Sequence, residues 1–141
     1  MTGRLAALLV SVLAFAASPA VAEPQALPPE ITALEASALM YARGIVLIDV
    51  REPEELAASG RASGAHAIPL QAPDFIDQVT ALIGDDRSVE VAFICRSGRR
   101  SLAARDRLIA AGYPNATSVA GGTLAPGGWQ AAGLPMTSAG E

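Results

Sequence analysis

Two apolar runs of strand length, Ile45-Val46-Leu47-Ile48-Asp49-Val50 and Val89-Glu90-Val91-Ala92-Phe93-Ile94, each give way to a polar turn and then to a helix-like segment. A run that is apolar at nearly every position, rather than at every second one, suits a strand covered on both faces. Strands that alternate with helices in this way imply a parallel sheet with helices on both sides, a three-layer α/β/α domain.

The remaining segments fit that frame. Thr32-Ala33-Leu34-Glu35 has the form of a capping box and opens a helix that runs to about Arg43 and stops at Gly44. Pro53 followed by Glu54-Glu55-Leu56 suits the first turn of a short helix, ended by Gly60. Ala67-Ile68-Pro69-Leu70 reads as a short strand, and Asp74 to Gly84 as a helix with Phe75, Val79, Leu82 and Ile83 on its inward face. After the Asp85-Asp86-Arg87 turn come the second apolar run, a helix from about Ser101 to Ala111 closed by Gly112, and a last strand at Ala116 to Ala120.

The only cysteine, Cys95, follows the second run directly and begins the loop Arg96-Ser97-Gly98-Arg99-Arg100-Ser101. It therefore belongs at the carboxyl end of a strand and the amino end of a helix, the edge of an open α/β sheet where ligands bind. The first N–H groups of a helix lack partners within it, and the helix dipole puts partial positive charge there, so a thiolate or small anion is stabilised. Arg96, Arg99 and Arg100 add three full charges within five residues of the sulfur. Such settings bring a thiol pKa from about 8.5 into the range of about 3.5–7.5, so Cys95 is expected to be a thiolate nucleophile at neutral pH.

At the amino end, a basic start (Met1-Thr2-Gly3-Arg4), an apolar core (Leu5 to Ala17) and small residues at Ala20-Val21-Ala22 describe a secretory signal peptide, residues 1–22, too short in its core to span a membrane. Residues 23–30, with Pro24, Pro28 and Pro29, form a spacer, and residues 31–137 one domain. Cleavage removes Arg4 alone of the ten basic residues and none of the fourteen acidic ones, leaving a net charge of −5. An acidic, exported, periplasmic or secreted protein is a poor partner for nucleic acid or, once cleaved, for an anionic membrane. Five of its nine remaining arginines fall between Arg96 and Arg107, which favours a small anionic substrate, although Arg105 and Arg107 read as the solvated face of a helix. With one cysteine no internal disulfide can form, so the thiol is reactive or used between molecules. With His66 as the only histidine there is no metal-ligand cluster, and no nucleotide-binding Gly-rich loop is present, so no cofactor is expected.

The heptad Cys95-Arg96-Ser97-Gly98-Arg99-Arg100-Ser101 resembles the active-site loop of the rhodanese, or thiosulfate sulfurtransferase, family: a cysteine, four residues, then Arg and Ser. Phosphatases and arsenate reductases built on the same fold have five residues between Cys and Arg, a wider ring that encloses a tetrahedral oxyanion. The shorter ring suits one sulfur atom held on the cysteine and makes those activities the less favoured choice. Asp49-Val50-Arg51-Glu52-Pro53-Glu54-Glu55-Leu56 resembles the family's first signature and Gly60 to Pro69 its second. Ala111-Gly112-Tyr113, Gly121-Gly122, Trp129 and Ala132-Gly133-Leu134-Pro135 resemble its carboxyl-terminal one. The resemblance covers roughly residues 31 to 136 and implies a parallel-sheet rhodanese-like domain.

It also implies a mechanism. The Cys95 thiolate takes the outer sulfur of thiosulfate or a similar donor as a persulfide and passes it to a thiol or cyanide acceptor, and a thiol-redox protein is a candidate partner for keeping Cys95 reduced. Backbone N–H groups from Arg96 to Arg100, through Ser97 and Gly98, are expected to cradle the terminal sulfur. Arg100, matching the family's loop-closing arginine, should brace the loop, Arg96 and Arg99 attract the donor, Ser101 belongs with them to the substrate-binding loop, and Gly98 should supply a conformation that a side chain would obstruct. Asp49 is expected to bond to the loop or to an arginine, or simply to cap its strand, and Arg51 to support the site. The alternative within the family is a non-catalytic binding or sulfur-carrier module. Two departures stand out: Arg61 occupies the place of the family's usual histidine, so His66 is given no catalytic role, and Thr123 to Gly128 sets Trp129 about three residues further from the Gly pair. That longer loop either reshapes the mouth of the pocket or is a solvent-exposed insertion.

Overall fold

The computed structural model describes residues 26–138. The signal peptide read at residues 1–22 and the first part of the spacer lie outside the described residues.

Elements follow in the order β1 (Glu30–Ile31), α1 (Ala33–Arg43), β2 (Val46–Asp49), α2 (Pro53–Ser59), β3 (Arg61–Ala62), β4 (His66–Ala67), α3 (Phe75–Ile83), β5 (Val91–Ile94), α4 (Arg99–Ala110), β6 (Ala116–Val119) and β7 (Met136–Thr137). Five strands form one parallel sheet in the order β1-β6-β5-β2-β4, with β5 at its centre. The other two, β3 and β7, pair antiparallel as a separate ribbon, in which the Arg61 and Thr137 positions face each other. The two apolar runs are thus the neighbouring central strands, with Ile48 in register with Phe93 and Asp49 with Ile94.

Residues on the two faces of these strands enter different cores, because side chains alternate along a strand. Ile48 and Val50 of the β2 run and Val91, Phe93 and Cys95 of the β5 run join Phe75 and Val79 of α3 and Leu108 of α4 in one cluster. Leu47, Ala92 and Ile94 join Ala33 and Ala36 of α1, Val119 and Trp129 in the other. A three-layer α/β/α arrangement results, and the same period of two places Cys95 on the α3 and α4 side.

Local signals account for the helices. Thr32 caps α1 with a reciprocal box, its hydroxyl accepting from the Glu35 amide at 3.1 Å while the Glu35 carboxylate accepts from the Thr32 amide at 2.7 Å. Differences from the sequence reading lie where pattern is thin. Strand β1 begins at Glu30, inside the proline-containing spacer, and pairs with β6 through Glu30 and Ser118. Strand β4 covers His66 and Ala67 rather than Ala67 to Leu70; the Ile68 and Leu70 amides still bond to the Asp49 and Val50 carbonyls, while Pro69 between them has no N–H to continue the ladder. Leu82, expected inward on α3, is 39% exposed, and Ile76 packs against the core beside Phe75 and Val79. Arg107 is not simply solvated: it donates to the Leu70 carbonyl at 3.0 Å with its guanidinium 4.8 Å from the centre of the Phe75 ring.

At the carboxyl end of β2, Asp49 and Arg51 form an ion pair with both side chains fully buried. The Arg51 guanidinium meets the Asp49 carboxylate at 2.7 to 3.1 Å and also donates to Ser59 Oγ and the Gly60 carbonyl, each at 2.8 Å. Asp49 thus bonds to an arginine, and the pair fastens the end of α2 to the sheet. Removing one member leaves the other charge buried and uncompensated, which costs about 3–5 kcal/mol. Asp49→Ala is expected to lose that much stability in denaturant unfolding, and a loss under about 1 kcal/mol would contradict this account of the pair.

Candidate active site

Strand β5 ends at Ile94, and Cys95 lies just beyond it, 1% exposed, with the chain turning back over its sulfur. The Gly98 amide donates to Cys95 Sγ at 3.1 Å, and Ser101 Oγ lies 3.4 Å from the same sulfur. Gly98 has φ +109°, a region that side chains rarely adopt, and this lets the loop fold around the sulfur before α4 begins. Helix α4 starts at Arg99, two residues earlier than the sequence indicated, so its first amides lie close to the sulfur.

The ionisation of Cys95 follows from two opposed effects. Burial pushes the thiol up, as it does for any acid whose charged form loses water. The Ser101 hydroxyl and the backbone amides of Ser101, Gly98 and Ser97 together outweigh it and hold the thiol below its ordinary value. Arginine charge is a minor part of this balance, in contrast to the weight the sequence gives to Arg96, Arg99 and Arg100. Arg96 and Arg99 are exposed at the loop surface. Arg100 forms a two-pronged bond to Glu55 of α2, at 2.6 and 2.7 Å. That bond, from Arg100, is the chief reason that Glu55 is lowered to about 2. Arg100 therefore braces α4 against α2 rather than closing the loop upon itself.

A second segment holds the loop from the other side. The Thr123 amide donates to the Cys95 carbonyl at 2.7 Å and the Leu124 amide to the Arg96 carbonyl at 3.0 Å. Gly122 sits so close that a Cβ there would fall 2.5 Å from the Cys95 carbonyl oxygen and 2.7 Å from the Ser97 nitrogen, which only glycine avoids. The start of the Thr123 to Gly128 extension thus grips the cysteine loop, so the extension is more than an exposed insertion, although Pro126 and Gly127 at its far end are exposed. Leu124 and Arg96 also line, with Arg51, Glu55 and Ala58, an open cavity of about 280 Å³ between this segment and α2. The Asp49 carboxylate bonds to Arg51, and Arg51 meets the site as part of that cavity's wall and as one of the charges that lower Glu55. His66 is exposed on the edge strand β4. Among the described residues no group of three or more His, Cys, Asp or Glu could hold a metal ion.

Two residues of this arrangement have no signal in the sequence that ties them to the cysteine loop. Glu55 reads there as an acidic first-turn residue within the first signature, with nothing to tie it to Arg100, 45 positions away. Ser118 of β6, whose Oγ lies 2.8 Å from Ser101 Oγ, carries no local signal at all.

Residues 32–126 match the rhodanese-like domain family. This chain belongs to that family. The chain is 33% identical over 123 residues to thiosulfate sulfurtransferase 16, chloroplastic, of Arabidopsis thaliana, covering 81% of this chain and 97% of that protein. Among solved structures it resembles a protein of M. tuberculosis (TM-score 0.67, 25% identity, 77% of this chain and 96% of the other). It also resembles the human single-domain sulfurtransferase (TM-score 0.57, 28% identity, 68% and 92%).

The geometry sets the pH dependence of the thiol. Cys95 should show thiolate absorbance and alkylation with a midpoint below that of a free thiol measured alongside it, reactivity falling as pH drops through it. Gly98→Ala forces a side chain into the left-handed region at about 1–2 kcal/mol and is expected to raise that midpoint and lower stability together. A wild-type midpoint at or above the free-thiol value would remove the basis for Cys95 as a nucleophile.

Proposed function

We propose that this rhodanese-like domain is a sulfurtransferase that carries one sulfane sulfur as a persulfide on Cys95. The observation that carries the reading is the convergence of the Gly98 amide and the Ser101 hydroxyl on a single sulfur, with the thiol held below its ordinary value. The family assignment and the sulfurtransferase relatives support a sulfurtransferase-like or sulfur-carrier function.

In the first step the Cys95 thiolate attacks the outer sulfur of thiosulfate or a similar small anionic donor. The donor's S–S bond breaks, its electron pair leaves on sulfite, and the new S–S bond leaves a persulfide anion on Cys95. An acceptor thiolate or cyanide then attacks the outer sulfur, and the pair in the Cys95 bond returns to the cysteine as thiolate. The exposed Arg96 and Arg99 draw a dianionic donor to the loop, and the loop amides offset the negative charge that the two sulfurs carry in turn. Arg100 and Ser101 keep α4 and the loop in place while this happens.

The burial of Cys95 favours a second reading, a sulfur carrier loaded by a protein partner rather than by a free anion. The basic start, apolar core and small-residue cleavage site of residues 1–22 support export to the periplasm or beyond, with a thiol-redox protein keeping the lone cysteine reduced. No helix among the described residues is long and apolar enough to cross a membrane.

Incubation of the purified mature protein with thiosulfate is expected to add one sulfur atom to its intact mass, and Cys95→Ser to abolish the gain. Absence of the adduct in a reduced, folded sample excludes the small-donor reading and leaves the carrier. On the export reading, protein expressed from the full sequence should be recovered outside the cytoplasm with Glu23 as its first residue; an intact Met1 on cytoplasmic protein would contradict it.

A further inference from the structure

Behind the cysteine loop a second hydroxyl is buried to which the sulfur chemistry assigns no work. Ser118 lies on β6 two residues after Ala116, fully buried, with its Oγ 2.8 Å from Ser101 Oγ. Ser101 shares the inner face of α4 with Ala104 and Leu108; its Oγ donates to the Gly98 carbonyl at 2.9 Å and stands 3.4 Å from Cys95 Sγ. A hydroxyl has one proton to give and two lone pairs. Ser101 can therefore serve the Gly98 carbonyl or the sulfur, but not both at once, and with its proton so engaged the short contact makes Ser118 the donor to Ser101.

We infer that Ser118 is a positioning residue for the Cys95 thiolate: by donating to Ser101 Oγ it leaves the single Ser101 proton free to turn from the Gly98 carbonyl to the sulfur. While the thiol is protonated, Ser101 donates to Gly98 and has a lone pair for the S–H. Once that proton has gone to water, the Ser101 hydroxyl swings to the thiolate. The Gly98 carbonyl is not stranded, because the Leu102 amide also points at it, at 3.4 Å. A donor on Ser101 Oγ also polarises the O–H that faces the sulfur, as hydrogen bonds in chains strengthen one another.

The charged groups around the sulfur are Arg96 in the loop, Arg99 and Arg100 on α4, and Glu55 and Glu52 of α2 and its cap, which face Arg100. Glu30 on β1 is the exposed register partner of Ser118. Replacing Ser118 alters none of these, so a change in the thiol's titration reports on the hydroxyl pair. The use of the relay in turnover rests on the sulfurtransferase reading; its effect on the thiolate does not.

The test is the ultraviolet thiolate titration of the full domain in Ser118→Ala, Ser101→Ala and the double variant, with the persulfide rate measured alongside. From the usual strength of one hydrogen bond, Ser118→Ala should raise the midpoint by about half to one pH unit. Persulfide formation should slow about three- to tenfold below the midpoint, converging with wild type above it. Because Ser118 acts only through Ser101, the double variant should titrate like Ser101→Ala alone. Ser118→Thr should keep the wild-type midpoint while Ser118→Val, of the same shape without a hydroxyl, should not, and this pair serves where the alanine variant folds poorly. An unmoved midpoint in the folded Val or Ala variant, or shifts that add in the double variant, would overturn the relay. The expected shifts in the Ala, Val and double variants, with no persulfide in wild type, would instead overturn the sulfurtransferase reading and leave the relay standing.

Discussion

A negatively charged sulfur shut away from water must be compensated by donors fixed in advance, and most of what is distinctive in this domain supplies or holds those donors. Desolvation of the charged form works against ionisation of Cys95, and only the convergence of Ser101 and the amides of Ser97, Gly98 and Ser101 reverses the sign. Such donors act at full strength only if they cannot relax away, because a loop free to reorient would offer the thiol no more than water does. The geometry of the loop is therefore a stability problem before it is a catalytic one.

The solution is to fix the loop from three sides. The parallel ladder to β2 and β6 determines where β5 ends and which way Cys95 points. Amides of Thr123 and Leu124 take the Cys95 and Arg96 carbonyls, which holds the start of the loop from outside, while the amides of Ser97, Gly98 and Ser101 bond toward the sulfur. Glu55 and Arg100 pin the first turn of α4 to α2, and α2 is pinned in turn to β2 by the buried Asp49 and Arg51. Glu55 is ionised far below neutrality and Arg100 is raised further above its usual range, so this brace keeps its charges across the whole range in which the thiol titrates. Its contribution is present above the ordinary carboxylate range and is lost as pH falls toward about 2.

How much of this the sequence discloses depends on how local each interaction is. The α1 capping box, the proline opening α2 and the two central apolar runs are signals within a few residues, and the elements they announce are present. The two-residue strands β1, β3 and β7 are too short to carry a period, and each exists only because a distant partner supplies its hydrogen bonds. Leu82 misleads for a related reason, since an apolar residue near the end of a helix is buried only if something lies opposite. In the site, Cys95, Gly98 and Ser101 are legible because a tight loop is a local object. Glu55 and Ser118 are not, because the topology that brings α2 and β6 to the loop is set by strand order. Arginine clustering overstates direct charge on the sulfur, because Arg100 is neutralised by a carboxylate far away in sequence.

The burial of the sulfur and its proposed chemistry are compatible on grounds of size. A ring that donates N–H groups inward to one atom already has that atom in contact, and a transferred sulfur adds a single further atom at the same place. A tetrahedral oxyanion would need three oxygens accommodated at once, and the loop, with only four residues between Cys95 and Arg100 and its carbonyls held by Thr123 and Leu124, has no slack with which to widen. On the proposed reading the exposed side chains of Arg96 and Arg99 have a role that needs no contact with the reacting atom: on a chain of net charge −4 they would make this edge of the sheet the place a small anionic donor approaches. Ionisation belongs to the buried amides and hydroxyls and attraction to the exposed guanidinium groups, so replacing Arg96 or Arg99 should change how salt affects capture of the donor without moving the titration of Cys95.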